Sequence, residues 1–501
     1  MKNLFLILLL CFAPTVEAAT INAASTSTAD VATAIASASD GDTVVIPAGT
    51  SDWTSPLVVL KAITLQGSGT NSTIIQDSIP TGGCCWSNRA VIAVFPVTNK
   101  TTRITGIQFA DGASTKSGTA DGGTIYVEAP FGIDSTARAV IDNCYFNAVT
   151  QDAGVIRVYG AFGVTHSCVF RRTMNQFSHI ISHQNDLPWA EATHFGTDKF
   201  WVIEDNVITK SGSLYESMDS DRGARWVFRY NTDSNSRLGM HGADSGTFQR
   251  GTRAIEAYMN TFVGDGSVSQ LLLVRSGTGL VYSNTLTSWN GTNIVHMSAF
   301  RATDDSSFSW KQANGTNAWD KNDAGNPLVT GTASSVGTLT MTDSGKSWTT
   351  DQWKGYIVRN TTTFLASMIT ANTATTLTFQ ADIDGYTDPD LSFSIGNTYE
   401  INLVTKILDM PGLGQGTLIN ALGTPTSPDS AIDPYYAWGN TSGGAVAAIN
   451  TGTPLIVENT YWFNSAKAGY TALAYRHPLR GSSRISATLN RVELRGGVVI
   501  R

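Results

Sequence analysis

The sequence predicts an all-β chain wound as a solenoid of stacked parallel coils, a parallel β-helix. Three observations predict it: a short strand pattern recurring at one-coil spacing, a polar residue fixed at the end of each copy, and a composition rich in turn formers. Six copies end at Cys144, Cys168, Asn206, Asn231, Asn260 and Asn284, spaced 24, 38, 25, 29 and 24 residues apart. A variable repeat of this length means stacked coils, each adding one strand about 4.8 Å above the last. An Asn recurring at one inward turn can bond its amide to the amides above and below, which explains the residue without any chemistry.

The N-terminus reads as an export signal. Lys2 precedes an apolar run from Leu4 to Phe12, and Val16-Glu17-Ala18 supplies the small residues of a cleavage site. Residues 1–18 are therefore set apart from the fold, and a secreted, extracellular or periplasmic location is expected. No other apolar run reaches the roughly 18 residues of a membrane span. Of 501 residues, 42% are hydrophobic and only 15% charged, with 47 Gly, which suits a turn-rich β protein with ample core material. A net charge of −7 and the lack of a basic run argue against a nucleic-acid partner. Cys144 and Cys168 belong one above the other, either as a disulfide or as two small inward residues holding ladder places.

Along the chain, Thr28 is a candidate N-cap for a short helix with Val31, Ala34, Ile35 and Ala38 on one face, placed to cover the open end of the solenoid. Strands follow in Gly41-Asp42-Thr43-Val44-Val45-Ile46-Pro47-Ala48-Gly49 and Ile63-Thr64-Leu65-Gln66-Gly67-Ser68-Gly69. With these the chain resembles the secreted right-handed parallel β-helix proteins of the pectate-lyase-like superfamily, over roughly residues 25–300. The resemblance implies a right-handed β-helix and matches no specific enzyme family. From Ser334 to Ile401 the composition shifts to Thr-rich alternating strands punctuated by Trp348, Trp353 and Gly355, resembling a small all-β module of phage tail and bacterial surface proteins. The expected organisation is thus a signal at 1–18, a capped β-helix at 19–333, an inserted module at 334–401, and resumed coils with a C-terminal segment at 402–501. Trp438-Gly439-Asn440-Thr441 and Val457-Glu458-Asn459-Thr460 echo the ladder strands in that last part.

Counting back from each ladder residue, alternation puts positions −3 and −5 inside and −2 and −4 outside. Position −2 then gives an outward column of Asp142, His166, Glu204, Arg229, Tyr258 and Tyr282, with Glu256 at −4. Such a column spans about 24 Å, long enough to track an extended polymer. The turns entering the strands carry Arg222, Arg225, Arg250 and Arg275. Clustered guanidinium groups repel unless offset, so either an acidic ligand or the interspersed Asp219, Asp221, Asp244 and Glu256 neutralise them.

An acidic polysaccharide suggests β-elimination, which needs a partner for the uronate carboxylate, a base for the α-proton and an acid for the departing oxygen. The candidates are Arg229 or Arg253 as base or carboxylate clamp, and His241 and Tyr258 for proton transfer. Glu256 is a further catalytic carboxylate, and Arg222, Arg225, Arg250, Arg275, His166 and Tyr282 would bind substrate. Glu204 with Asp205 would hold a cation, calcium being the expected one. The family comparison also subtracts. The pectate-lyase strand Trp-Ile-Asp-His-Asn is Val202-Ile203-Glu204-Asp205-Asn206 here, without the His. The catalytic Arg-x-Pro-x-x-Arg-x-Gly is missing from the central coils, and Arg476-His477-Pro478-Leu479-Arg480-Gly481 imitates it one residue short at the far C-terminal end, where it reads as coincidence. The expected function is an exported polysaccharide lyase acting on an acidic polysaccharide. The rivals are a non-catalytic adhesive solenoid and a glycoside hydrolase with two carboxylates across the bond. Whether the chain is a monomer or a homotrimer does not follow from the sequence. His183 and His194 are second-tier candidates, and Trp189, Trp289 and Trp310 would either stack sugars or pack loops, packing being the favoured reading.

Overall fold

The computed structural model describes residues 17–80, 89–113, 123–129, 136–147, 155–172, 181–184, 192–210, 215–220, 223–240, 251–266, 270–297, 329–354, 357–363, 365–379, 391–402, 411–414, 431–451 and 458–481. Their strands wind a parallel β-helix with three faces. Sheet A stacks twelve strands, from Thr20–Asn22 through Trp201–Glu204, Arg225–Arg229, Ala254–Tyr258 and Thr278–Tyr282 to Tyr435–Trp438 and Trp462–Phe463. Sheet B follows it around each coil, from Gly49–Trp53 to Asn440–Ser442. The third face consists of sheet C, from Leu57–Val59 to Ile181–Gln184, and sheet D, from Tyr215–Met218 to Asn293–Met297 and Ala445–Thr451.

The bend from sheet A into sheet B has one cause in the coils from Arg138–Asp142 to Tyr435–Trp438. The residue before the ladder position is left-handed in Asn143 (φ 49), Ser167 (φ 54), Asp205 (φ 55), Tyr230 (φ 54), Met259 (φ 56), Ser283 (φ 53) and Gly439 (φ 63). A single left-handed residue turns the chain sharply, and the next residue then points inward. There the Asn ladder forms: Nδ2 of Asn206, Asn231, Asn260 and Asn284 donates to Oδ1 of the next Asn at 3.0, 3.1, 2.9 and 3.0 Å, ending on Asn440. The same Oδ1 atoms accept the backbone N–H of the preceding ladder residue, so each buried amide is fully used. Cys144 and Cys168 hold the first two ladder places as free, buried thiols, which decides between the two readings of that pair. Burial pushes the Cys168 thiol upward.

Inside, Trp201 lies over Trp226 and Ile203 over Phe228, all buried, as alternation requires. Phe109, Phe146 and Phe170 stack at 5.2 and 4.8 Å. The helix Thr28–Ser37 closes the first coil with Val31, Ala34 and Ile35 buried; its cap is Ser27, one residue earlier than expected, whose Oγ accepts from Asp30 N at 3.2 Å. Residues Val329–Asn402 form a separate antiparallel sheet of seven strands around Met341, Val358, Ile369, Leu377 and Ile401. Its first strand opens at Val329, five residues before the compositional shift, and pairs with Thr398–Asn402. Beyond it Tyr435–Trp438 pairs in parallel with Thr278–Tyr282, so the solenoid resumes where it stopped. Asn459, by contrast, sits in a left-handed turn (φ 63) and takes no part in the ladder.

Candidate functional site

The windings are in phase. Asp142, His166, Glu204, Arg229, Tyr258, Tyr282 and Trp438 are register partners in consecutive strands of sheet A. The column is nonetheless no open strip. Asp142, Glu204 and Arg229 are fully buried, and Glu256 and Tyr258 nearly so. Two segments cover them, 192–200 and the C-terminal strap 466–481, which runs back along the solenoid axis over sheet A. The physical reason lies at position −4, where Val140, Val164, Val202, Val227 and Leu280 form an outward apolar column around Glu256. They pack with Phe195, Tyr470, Ala472, Leu473 and Leu479 into a second core.

Within that core lies an ionic knot. Glu204 Oε2 accepts from Arg229 Nε at 2.7 Å and its Oε1 from His477 N at 3.0 Å and Arg480 Nη1 at 2.8 Å. Arg229 Nη1 donates to Tyr258 Oη and the Leu473 carbonyl, both at 2.7 Å, and Nη2 to the Ala474 carbonyl at 3.0 Å. Burial pushes the Glu204 carboxyl up, but Arg229, the His477 N–H and Arg480 together bring it below its usual value. Burial holds Glu256 above its usual value, although Tyr470 Oη and Gly196 N both donate to it. Burial drives Tyr258 upward and pulls His166 and His477 down to about 4.

The expected site residues therefore fall into three groups. Glu204, Asp205, Arg229, Glu256, Tyr258 and Tyr282 do converge, under the strap. The cation that Glu204 and Asp205 share in this structure is the Arg480 guanidinium, and among the described residues no group of three or more His, Cys, Asp or Glu converges as a metal site. Arg225, Arg253 and Arg275 stand apart at the entry to the strands: Arg225, first residue of its sheet A strand, donates to the Gly223 and Ala192 carbonyls, Arg253 pairs with Asp433 at 2.9 Å, and Arg275 donates to the Met240 carbonyl. His166 lies in the column one coil before Glu204, its Nε2 3.9 Å from Asp142. Arg222, His241 and Arg250 lie outside the described residues, as do Trp189, Trp310 and the His183 side chain. Trp289 packs edge-on against Phe262, as expected.

Sheets C and D carry the polar outer face that counting from the ladder missed. Tyr126 and Arg157 are register partners there, as are Glu128 and Tyr159. Tyr126 Oη donates to Glu128 at 2.9 Å, and Phe95 meets the Tyr126 ring edge-on. Further along, Glu216 accepts from Arg237 Nε at 2.9 Å, and the half-buried His296 lies on the same face, burial and Arg237 lowering its imidazole. Glu128, Tyr159, Arg237 and His296 are all half-exposed. Sheet B differs: from Val207 its outward column is Thr232, Thr261, Thr285 and Thr441, without charge. The signal for the third face was present in the alternation of Ile125-Tyr126-Val127-Glu128 and Ile156-Arg157-Val158-Tyr159.

No helix among the described residues is long and apolar enough to cross a membrane. No family model and no curated protein matches the chain. Among solved structures, the chain is similar to DFA-IIIase from Arthrobacter chlorophenolicus A6 in complex with DFA-III, at 11% identity and a TM-score of 0.27, over 54% of this chain and 77% of that one. A superposition that loose transfers neither a site nor an activity.

Proposed function

We propose that this is an exported carbohydrate-active β-helix protein that holds an acidic polysaccharide along the outer face of sheets C and D and cleaves it by β-elimination. One observation carries the reading: with sheet A sealed and sheet B uncharged over its later coils, the third face among the described residues presents half-exposed Glu128, Tyr159 and Arg237, Glu128 and Tyr159 being register partners. Arg237, half-exposed, supplies positive charge for uronate carboxylates, with the buried Arg157 adding to the field behind the face. Glu128 and Tyr159, partners in adjacent strands, are the proton acceptor for the α-carbon and the donor for the departing oxygen. One observation favours binding without cleavage: Glu128 already accepts from Tyr126, and Glu216 from Arg237.

The test is incubation with pectate, alginate and glycosaminoglycans, with and without a calcium chelator, while recording unsaturated-uronate absorbance, reducing ends and retention in affinity electrophoresis. Rising absorbance supports elimination, reducing ends alone indicate a hydrolase, and retention alone leaves the binding reading. Failure to retain any polyuronate sinks the proposal. Tyr159→Phe should lower turnover by about 100-fold or more. Arg237→Ala should weaken retention several-fold with the melting temperature nearly unchanged.

A further inference from the structure

The solenoid and its strap differ in their hydrogen-bond chemistry. Ladder contacts are amide to amide and indifferent to pH between 4 and 8. Every side-chain hydrogen bond from the strap to sheet A and its turns, among the described residues, involves a charged group or ends on a hydroxyl beside one, while the apolar packing of Tyr470, Ala472, Leu473 and Leu479 on sheet A is as indifferent to pH as the ladder. His477 N and Arg480 donate to Glu204, and Arg480 and Tyr475 to Asp205. Tyr470 donates to Glu256, Arg229 to the Leu473 and Ala474 carbonyls, and Arg480 to Ser167 at 3.4 Å. No strap residue pairs with sheet A as a strand. The strap is one layer thick, with Thr471, Ala474, Tyr475, Arg476 and Pro478 exposed on its far side.

We propose that the strap is an acid-released clasp, closed over sheet A at neutral pH and detached, with the coils beneath still wound, when the medium turns acidic. Two histidines set the direction. His477 is 2% exposed, its Nδ1 accepting from Leu479 N and its Nε2 without a hydrogen-bond partner. It faces Glu204 and Asp198 on one side of the charge balance and Arg229 and Arg138 on the other. His166, 6% exposed, lies under the Pro478–Arg480 turn and faces Asp142, Glu204, Arg480 and Arg103. Both are neutral while the strap is closed, burial holding them near 4 against an ordinary 6.5. Release uncovers them, so each takes up a proton on opening between those limits. Glu204, whose closed-state value is lowered, adds to this below the ordinary carboxylate range, because opening forfeits its ion pairs. Glu256 opposes it: its closed-state value is raised, so opening lets it ionise. Three groups against one favour release in acid.

The test is hydrogen exchange of the full chain between pH 7 and 4.5, taking strap amides (His477, Leu479, Arg480) relative to ladder amides (Asn206, Asn231, Asn260) in the same sample. The ratio cancels the chemical pH dependence of exchange. It should rise about tenfold per pH unit per histidine below pH 6.5. His477→Asn, which keeps an acceptor for Leu479 N and takes no proton, should flatten the slope. A ratio constant from pH 7 to 4.5, or strap and ladder amides exchanging together at every pH, overturns the proposal. If His477→Asn fails to fold, the wild-type ratio alone decides.

Discussion

Asn231 accepts from the backbone N–H and the side-chain amide of Asn206 and donates to the Ile203 carbonyl and to Asn260. Replacing it by Ala orphans several buried groups at once, so Asn231→Ala should cost about 3 kcal/mol, read as a lower urea midpoint. Leu should not rescue it, because volume is not what the position lacks. Glu204 has a different signature. Glu204→Gln removes the charge that faces the buried Arg229 and the partly exposed Arg480 guanidinium groups and should cost about 3 kcal/mol near neutral pH. Since the Glu204 pKa is lowered by folding, that contribution is present above the ordinary carboxylate value and fades as pH falls through the folded one. Wild type and Glu204→Gln should therefore converge in stability in acid and diverge towards neutrality.

At the scale of elements, the three faces differ in what their outward positions demand. Sheet A presents Val140, Val164, Val202, Val227 and Leu280, each worth roughly 1.5–3 kcal/mol when covered, so it needs a lid. A chain ending at Ser465 should bind a hydrophobic dye and self-associate while its circular dichroism stays that of a β protein. Sheet C and sheet D carry alternating apolar and ionisable residues and stand uncapped by the strap. The alternation that assigns inside and outside was legible residue by residue. What covers an outside residue was not, because periodicity holds no record of it. Arg476-His477-Pro478-Leu479-Arg480-Gly481 was visible as a motif, and its place over Glu204 follows only from the path of the chain.

For the whole molecule, the coils pair strand by strand with their neighbours, while the strap ties residues 188 to 313 positions apart. The antiparallel sheet of Val329–Asn402 has its own core, disjoint from the one inside the coils. Calorimetry should accordingly resolve two transitions, and a core substitution such as Ile369→Ala should shift one of them alone. Coincident shifts would mean that the two cores are one cooperative unit.

The sequence by itself determined the winding, the ladder and the phase of the column, because each rests on neighbours one coil apart and repeats along the chain. Only the tertiary structure decided that this column is sealed, that a guanidinium occupies the place expected for a metal ion, and that the polar face lies elsewhere. Those outcomes depend on a single non-repeating segment folding back across the coils, and a contact made once leaves no periodic trace in the residues that make it.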